Sequence, residues 1–168
     1  MNFLSIDCGT DPSSLFIKCK NKTFNKILQS DKSSNDQLMS QILIFFKLNN
    51  IQIEDISQIF VNQGPGNFSS LRGSLATAKG ISLSKNLKLF GYNTFIWSCA
   101  KFINNNNSIF SLIKHRKKYF VKKFDKKLNL STKITEVTKE ELIKDYQNSF
   151  KLIPKNMIKF FDEEILSL

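Results

Sequence analysis

Residues 58–80 read "QIFVNQGPGNFSSLRGSLATAKG": a strand-like apolar run, a glycine–proline–glycine turn and a proline-free helical run rich in small residues. A strand that feeds a tight turn and then a long helix commits the chain to strand–helix units, and so to an α/β fold. Gly64 and Gly66 open backbone conformations closed to other residues, while Pro65 stiffens the turn between them. Asn67 or Ser69 supplies a helix cap, and Phe68 is placed to wedge the loop onto the core. A dinucleotide-binding G-x-G-x-x-G fails at Ser69, and no acidic residue follows about 20 positions on. A P-loop fails because no Gly-Lys falls at the required distance. Pro65 also removes an amide that a phosphate cradle would use. The stretch therefore reads as a rigid turn that launches a helix. Along that helix Gly73, Thr77, Gly80 and Ser84 share one side, with Leu71, Leu75, Ala78 and Ser82 on another. A helical glycine costs about 1 kcal/mol relative to alanine, and close approach of another backbone would compensate, either the chain's own sheet or a second chain.

The flanking segments extend the same pattern. "NFLSIDC" reads as a buried strand ending in Asp7, and "LFIKCK" and "TFNKIL" as a hairpin broken at Asn21–Lys22. A helix is expected over 36–48, capped by Ser33, Ser34 or Asn35 with Asp36 in its first turn, and ended by Asn49 and Asn50. Its apolar stripe (Leu38, Met39, Ile42, Phe45, Phe46, with Leu43 and Ile44) is wider than one buried face requires. Such a stripe suits either a helix enclosed within its own domain or one that also meets a partner. After "ISQIFVNQ" and the 68–85 helix come a strand at 88–92 and a short helix in "NTFIWSCAKFI". "NNNN" at 104–107 marks a boundary, dividing the chain into 1–104 and 105–168. Beyond it "SIFSLI", "KYFVKKFD" and "KITEV" read as strands. Thr138 and Glu141 stand at capping-box spacing before a helix, and residues 154–168 read as a terminal helix or strap. No sequence repeat is evident.

Function classes narrow from composition. With 41% hydrophobic residues and sixteen phenylalanines the chain is not disordered. Cys8, Cys19 and Cys99 are odd in number and lack C-x-x-C spacing, which argues against disulfides and zinc. A reduced, cytoplasmic protein is expected, with no signal peptide, no membrane-spanning run and no membrane partner. The net charge of +11 is carried almost wholly by lysine; it fits either compositional drift toward Lys and Asn or a polyanion-binding surface. His115, the single histidine, lies in a solvated basic turn, so neither a paired-histidine metal site nor a Ser/His/Asp triad is available. No catalytic residue, metal or cofactor is expected. Asp7 before "CGT" has two readings: a metal- and phosphate-facing carboxylate of an actin-like or sugar-kinase-like ATPase, or a cap of the turn that follows. Lys117, Lys118, Lys122 and Lys123, interleaved with Tyr119, Phe120 and Phe124, read either as a tRNA contact or as the charged face of a half-buried hairpin.

"QGPGNFSSLRGSLATAKG" resembles the loop–helix motif of the bacterial TsaB (YeaZ) family, in which G-P-G-S-F-T-G-[LV]-R-I-G-L-A-x-A-K-G is typical. Gly64, Pro65, Gly66, Phe68, Leu71, Arg72, Leu75, Ala76, Ala78, Lys79 and Gly80 match it, and "LSIDCGT" and "LFGYNTF" are similar as well, so the resemblance covers residues 1 to about 100. Asn67, Ser69, Ser70, Gly73 and Ser74 depart from the pattern, as does "SLIKHRKKYF". The resemblance implies an actin-like (ribonuclease-H-like) α/β fold of two lobes with a mixed sheet and helices, the second lobe shortened here. It implies a noncatalytic subunit that binds and activates a TsaD-like catalytic partner. With a TsaE-like ATPase, that pair adds threonylcarbamoyl to the adenosine beside the anticodon of tRNA, so tRNA is met through the complex. It also implies pairing through the first lobe, with TsaD or as a homodimer. The residues assigned to that contact are Leu38, Met39, Ile42, Gly64, Pro65, Gly66, Phe68, Arg72, Gly73, Thr77 and Gly80.

Overall fold

The computed structural model describes residues 1–28, 37–100, 108–115, 118–125, 133–146 and 151–152. The chain forms two compact units, Met1–Tyr92 and Asn93–Leu168.

In the first unit, β1 (Phe3–Asp7), β2 (Ser14–Cys19) and β3 (Lys22–Ile27) form an antiparallel meander. Lys20 and Asn21 are both left-handed (φ 50° and 61°), so the hairpin turns one residue earlier than Asn21–Lys22. Two such residues match the right-handed twist of the strands, and asparagine tolerates the conformation well. After α1 (Leu38–Leu48), β4 (Gln58–Asn62) joins β1 in parallel. Then α2 (Phe68–Lys85) leads to β5 (Lys88–Tyr92), parallel to β4, giving the order β3-β2-β1-β4-β5. Alternate strand residues Leu4, Ile6, Leu15, Ile17, Ile59 and Val61 pack with Leu38, Ile42, Phe45 and Phe46 of α1 and Ala78 and Ile81 of α2. Each large apolar side chain buried there contributes about 1.5–3 kcal/mol. The residues between them point to the other sheet face. There Phe3 meets Phe16 (5.8 Å between centroids) and Phe60 (5.3 Å), and Phe60 stacks on Phe90 (5.3 Å).

α1 ends as expected: Asn49 Nδ2 donates to the Phe45 carbonyl at 2.7 Å, and Asn50 is left-handed. Its start differs. Gln37 precedes the first helical residue and makes no side-chain cap, and the expected caps at 33–35, with Asp36 of the expected first turn, lie outside the described residues.

The second unit opens with α3 (Thr94–Ala100), followed by β6 (Ser108–His115), β7 (Lys118–Asp125), β8 (Thr135–Val137), α4 (Lys139–Tyr146) and β9 (Lys151–Leu152). The order is β8-β7-β6-β9, with β9 parallel to β6 and the other pairs antiparallel. β9 is too short to leave a periodicity signal. The division falls at Tyr92/Asn93, ahead of the asparagine run, because Phe95 and Cys99 of α3 bury with Ile109 and Phe124 of this sheet. On the opposite face Leu112, Val121 and Val137 pack with Leu142 and Tyr146. The expected capping box forms: Glu141 N–H donates to Thr138 Oγ1 (3.2 Å), and Thr138 N–H donates to the Glu141 carboxylate (2.8 Å). The terminal helix or strap expected at 154–168 lies outside the described residues.

Candidate functional site

β1 and β4 end side by side, and a polar clasp joins their ends. Asp7 Oδ1 accepts from the Gly9 amide (3.0 Å), the Thr10 amide (3.1 Å) and Asn62 Nδ2 (2.9 Å). Asn62 Oδ1 then accepts from the Gly64 amide at 2.7 Å. Asp7 therefore caps the turn after β1 and, through Asn62, holds the glycine–proline–glycine loop. Burial pushes the Asp7 carboxyl above its ordinary value, against the pull of the Asn62, Thr10 and Gly9 hydrogen bonds. Burial and the Asp7 charge raise the Cys8 thiol to about 12, which leaves it protonated and a poor nucleophile at neutral pH.

Glycine is required twice in the loop. Gly64 sits at φ +96°, and a Cβ there would stand 2.9 Å from Leu71 Cδ1. A Cβ on Gly66 would overlap the carbonyl of Gly9. The two loops thus meet backbone to backbone. Leu71, whose other methyl lies against Gly9, fills the space beneath them. Phe68 does not wedge the loop: it is 72% exposed, and the Arg72 guanidinium lies 5.5 Å from its ring centroid. The helical phase decides this, because Leu71 shares the inward side with Ser74, Ala78 and Ile81, and Phe68 falls outside it. Asn67 is the cap, accepting from the Ser70 amide at 3.1 Å.

The residues expected at a helical interface separate into two sets. Leu38 and Ile42 are buried in the unit's own core and present no surface to a partner, a correction to that expectation. A helix on a sheet must turn its most continuous apolar side inward, and here that side runs 38–42–45–46. Met39 is exposed, as are Leu43, Ile44 and Leu48, the last at 73%. On α2, Arg72 and Gly80 are exposed, and Gly73 and Thr77 are half-buried. A Cβ on Gly80 would meet nothing within 4 Å, so close packing within the described chain does not explain that glycine. Leu83, which sequence reasoning passed over, is 83% exposed; its spacing from Arg72, Ala76 and Lys79 was the available signal.

In the second unit, Lys122 and Lys123 do not form one patch. Lys122 pairs in register with Ser111 and lies 6.0 Å from the Phe95 ring centroid and 5.7 Å from that of Phe124, on the α3 face. Lys123 pairs with Phe110 and lies 5.7 Å from its ring, on the opposite face. Lys118 belongs to β7, and Lys117 lies outside the described residues. Among the described residues no group of three His, Cys, Asp or Glu side chains is placed to hold a metal ion, and no helix is long and apolar enough to cross a membrane.

Both sheets place the third, second, first and fourth strands side by side with the same directions, which is the architecture of an actin-like, ribonuclease-H-like α/β protein. Two solved structures share the fold. YeaZ from Pseudomonas aeruginosa has a TM-score of 0.67 at 11% identity, over 83% of this chain and 68% of that one. A Pseudomonas aeruginosa protein with similarity to peptidase YeaZ has a TM-score of 0.69 at 10% identity, over 82% of this chain and 66% of that one. Residues 27–156 match the family model for TsaD, tRNA N6-adenosine threonylcarbamoyltransferase. The tRNA threonylcarbamoyladenosine biosynthesis protein TsaB of Buchnera aphidicola subsp. Baizongia pistaciae (strain Bp) is 30% identical over 106 residues, 63% of this chain and 48% of that protein. The chain belongs to this family and stands with its TsaB (YeaZ) members. It spans about half the length of the curated relative it matches.

Proposed function

We propose that this chain is a noncatalytic scaffold in tRNA threonylcarbamoyladenosine biosynthesis, binding a TsaD-like catalytic subunit and stabilising its active arrangement. A TsaE-like ATPase and tRNA are then met through the complex. The name of the curated relative supports the pathway. The observation that carries the scaffold role is the exposed apolar row Met39, Leu43, Ile44 and Leu48 on α1, beside Phe68 and Leu83 on α2. Large apolar side chains in such a row favour a protein partner. The Asp7 carboxylate, taken up by the chain's own amides and by Asn62, supports a structural role over phosphate chemistry.

Co-expression with the TsaD homologue of the same cells tests the reading. Leu43→Asp with Leu83→Asp should abolish co-purification and cellular threonylcarbamoyladenosine, and because both residues are exposed the circular dichroism spectrum should hold. A complex that survives both changes overturns the interface. Tight Mg-ATP binding by the isolated chain, lost in Asp7→Ala, would instead support the phosphotransferase reading.

A further inference from the structure

The β6–β7 hairpin gathers cations at one end. β6 closes on Lys114 and His115, and β7 opens on Lys118. His115 pairs in register with Lys118, and Lys114 with Tyr119. Arg116 and Lys117 join the strands in the chain and lie outside the described residues. The run 114–118 thus holds four formal positive charges and a histidine, and no apolar residue. Asp125 of β7 pairs with Ser108 at the opposite end. Seven residue steps put it about 23 Å from Lys118 along the strand, beyond two screening lengths of about 8 Å at physiological salt. Glu136 of β8 stands opposite Phe120, and α4, which packs on β7, carries three acidic residues against two lysines. Together these do not offset four positive charges. Drift toward Lys and Asn would bring both residues, yet residues 108–127 hold eight lysines and arginines and no asparagine.

We propose that the Lys114/His115–Lys118 end of this hairpin contacts the phosphate backbone of RNA directly, the RNA being the tRNA of the scaffold reading above. A protein interface wants an apolar centre and is poor in lysine, whereas phosphates ask only for cations. Cations held opposite one another across two strands destabilise a hairpin, and a polyanion relieves that strain. The contact carries charge without reading sequence. Tyr119, the aromatic beside the run, packs with Leu112, Val121 and Val137, so it is committed to the unit's own core. Lys122 and Lys123 lie against phenylalanine rings on opposite faces and do not extend the hairpin end into one patch.

Lys114→Gln with Lys118→Gln tests this on the full chain, the fold being checked by circular dichroism. Lys22→Gln with Lys88→Gln, both exposed in the first unit, removes the same charge elsewhere. The native chain should bind tRNA at about 50 mM salt, with affinity falling as salt rises. The hairpin pair should lower that affinity about tenfold and reduce the logarithmic salt slope by about 1.4 to 1.8. An unrelated RNA of equal length should lose affinity equally, and the control pair should change little. The complex with a TsaD-type subunit should persist in both variants. No tRNA binding by the native chain, an unaltered slope, or an equal loss in the control overturns the inference. So does loss of the protein complex in the hairpin variant alone, which would make this end a protein contact. Equal, hairpin-dependent binding to phosphatidylserine vesicles overturns the assignment to RNA. If the native chain forms no complex with the TsaD-type subunit, the scaffold reading falls, while tRNA binding read on the isolated chain still decides this one.

Discussion

The two units use one plan for different ends. β1-β2-β3-α1-β4 and β6-β7-β8-α4-β9 share strand order and direction. The first adds a clasp at its strand ends, a glycine turn and an 18-residue helix. In the second, β6 pairs with β7 from Ser108–Asp125 to His115–Lys118 and, among the described residues, with β9 at Phe110–Lys151 and Ser111–Leu152. Among its described residues, buried Ser98 shares its hydroxyl with Ser111 of β6 and donates to the Phe95 carbonyl at 2.8 Å. Alternating apolar residues suffice for the shared plan. What separates the units is a small set of polar and glycine positions whose work is to aim α2.

The largest test removes the aim. Gly66→Val drives side-chain atoms into the Gly9 carbonyl and should cost about 3 kcal/mol in urea unfolding, at the upper end for overpacking; a loss below about 1 kcal/mol would show the two loops to be separable. Asn62→Leu should cost about 2 kcal/mol by stranding the Gly64 amide and weakening the hold on Asp7. Hydrogen exchange should quicken at Gly9, Thr10 and Gly64. Removing the Ser98 hydroxyl from the second unit, with Ser98→Ala, should cost only about 1 kcal/mol; equal losses at Asn62 and Ser98 would erase the contrast. The smallest effect is one of pH. The folded-state value of Asp7 lies above 3.8, so its contribution to stability is full below 3.8 and lost as pH rises through the folded value. Asp7→Asn stays neutral and keeps the accepting oxygen. Urea midpoints should therefore drift in the variant's favour as pH is raised from about 3 to about 7, and parallel curves would mean that burial does not govern Asp7.

Much of this was legible in the residues. Strand–helix alternation, a cap at Asn67 or Ser69 and the Thr138–Glu141 box all act over a few residues, and local chemistry specifies them; the structure takes Asn67. Asp7 left two readings open, because whether a carboxylate meets its own turn or a ligand depends on Asn62, 55 residues away. α1 misled for a different reason. In "LMSQILIFFKL" apolar residues lie on both sides, and only the sheet decides that Leu38 and Ile42 turn inward while Met39 and Leu43 turn out. Phe68 failed likewise, since its size suggested a wedge while the phase of α2 gave that place to Leu71. Low complexity draws the sequence boundary to the asparagine run, whereas the two compact units divide after Tyr92, where composition leaves no mark.

Backbone meeting backbone at Gly66 and Gly9 has a consequence for how this chain tolerates change. The contact asks nothing of side-chain chemistry except that a Cβ be missing. A surface crowded with lysine and asparagine can turn over around it without moving the axis of α2. The direction in which the helix presents itself is thus insulated from the composition of everything it presents.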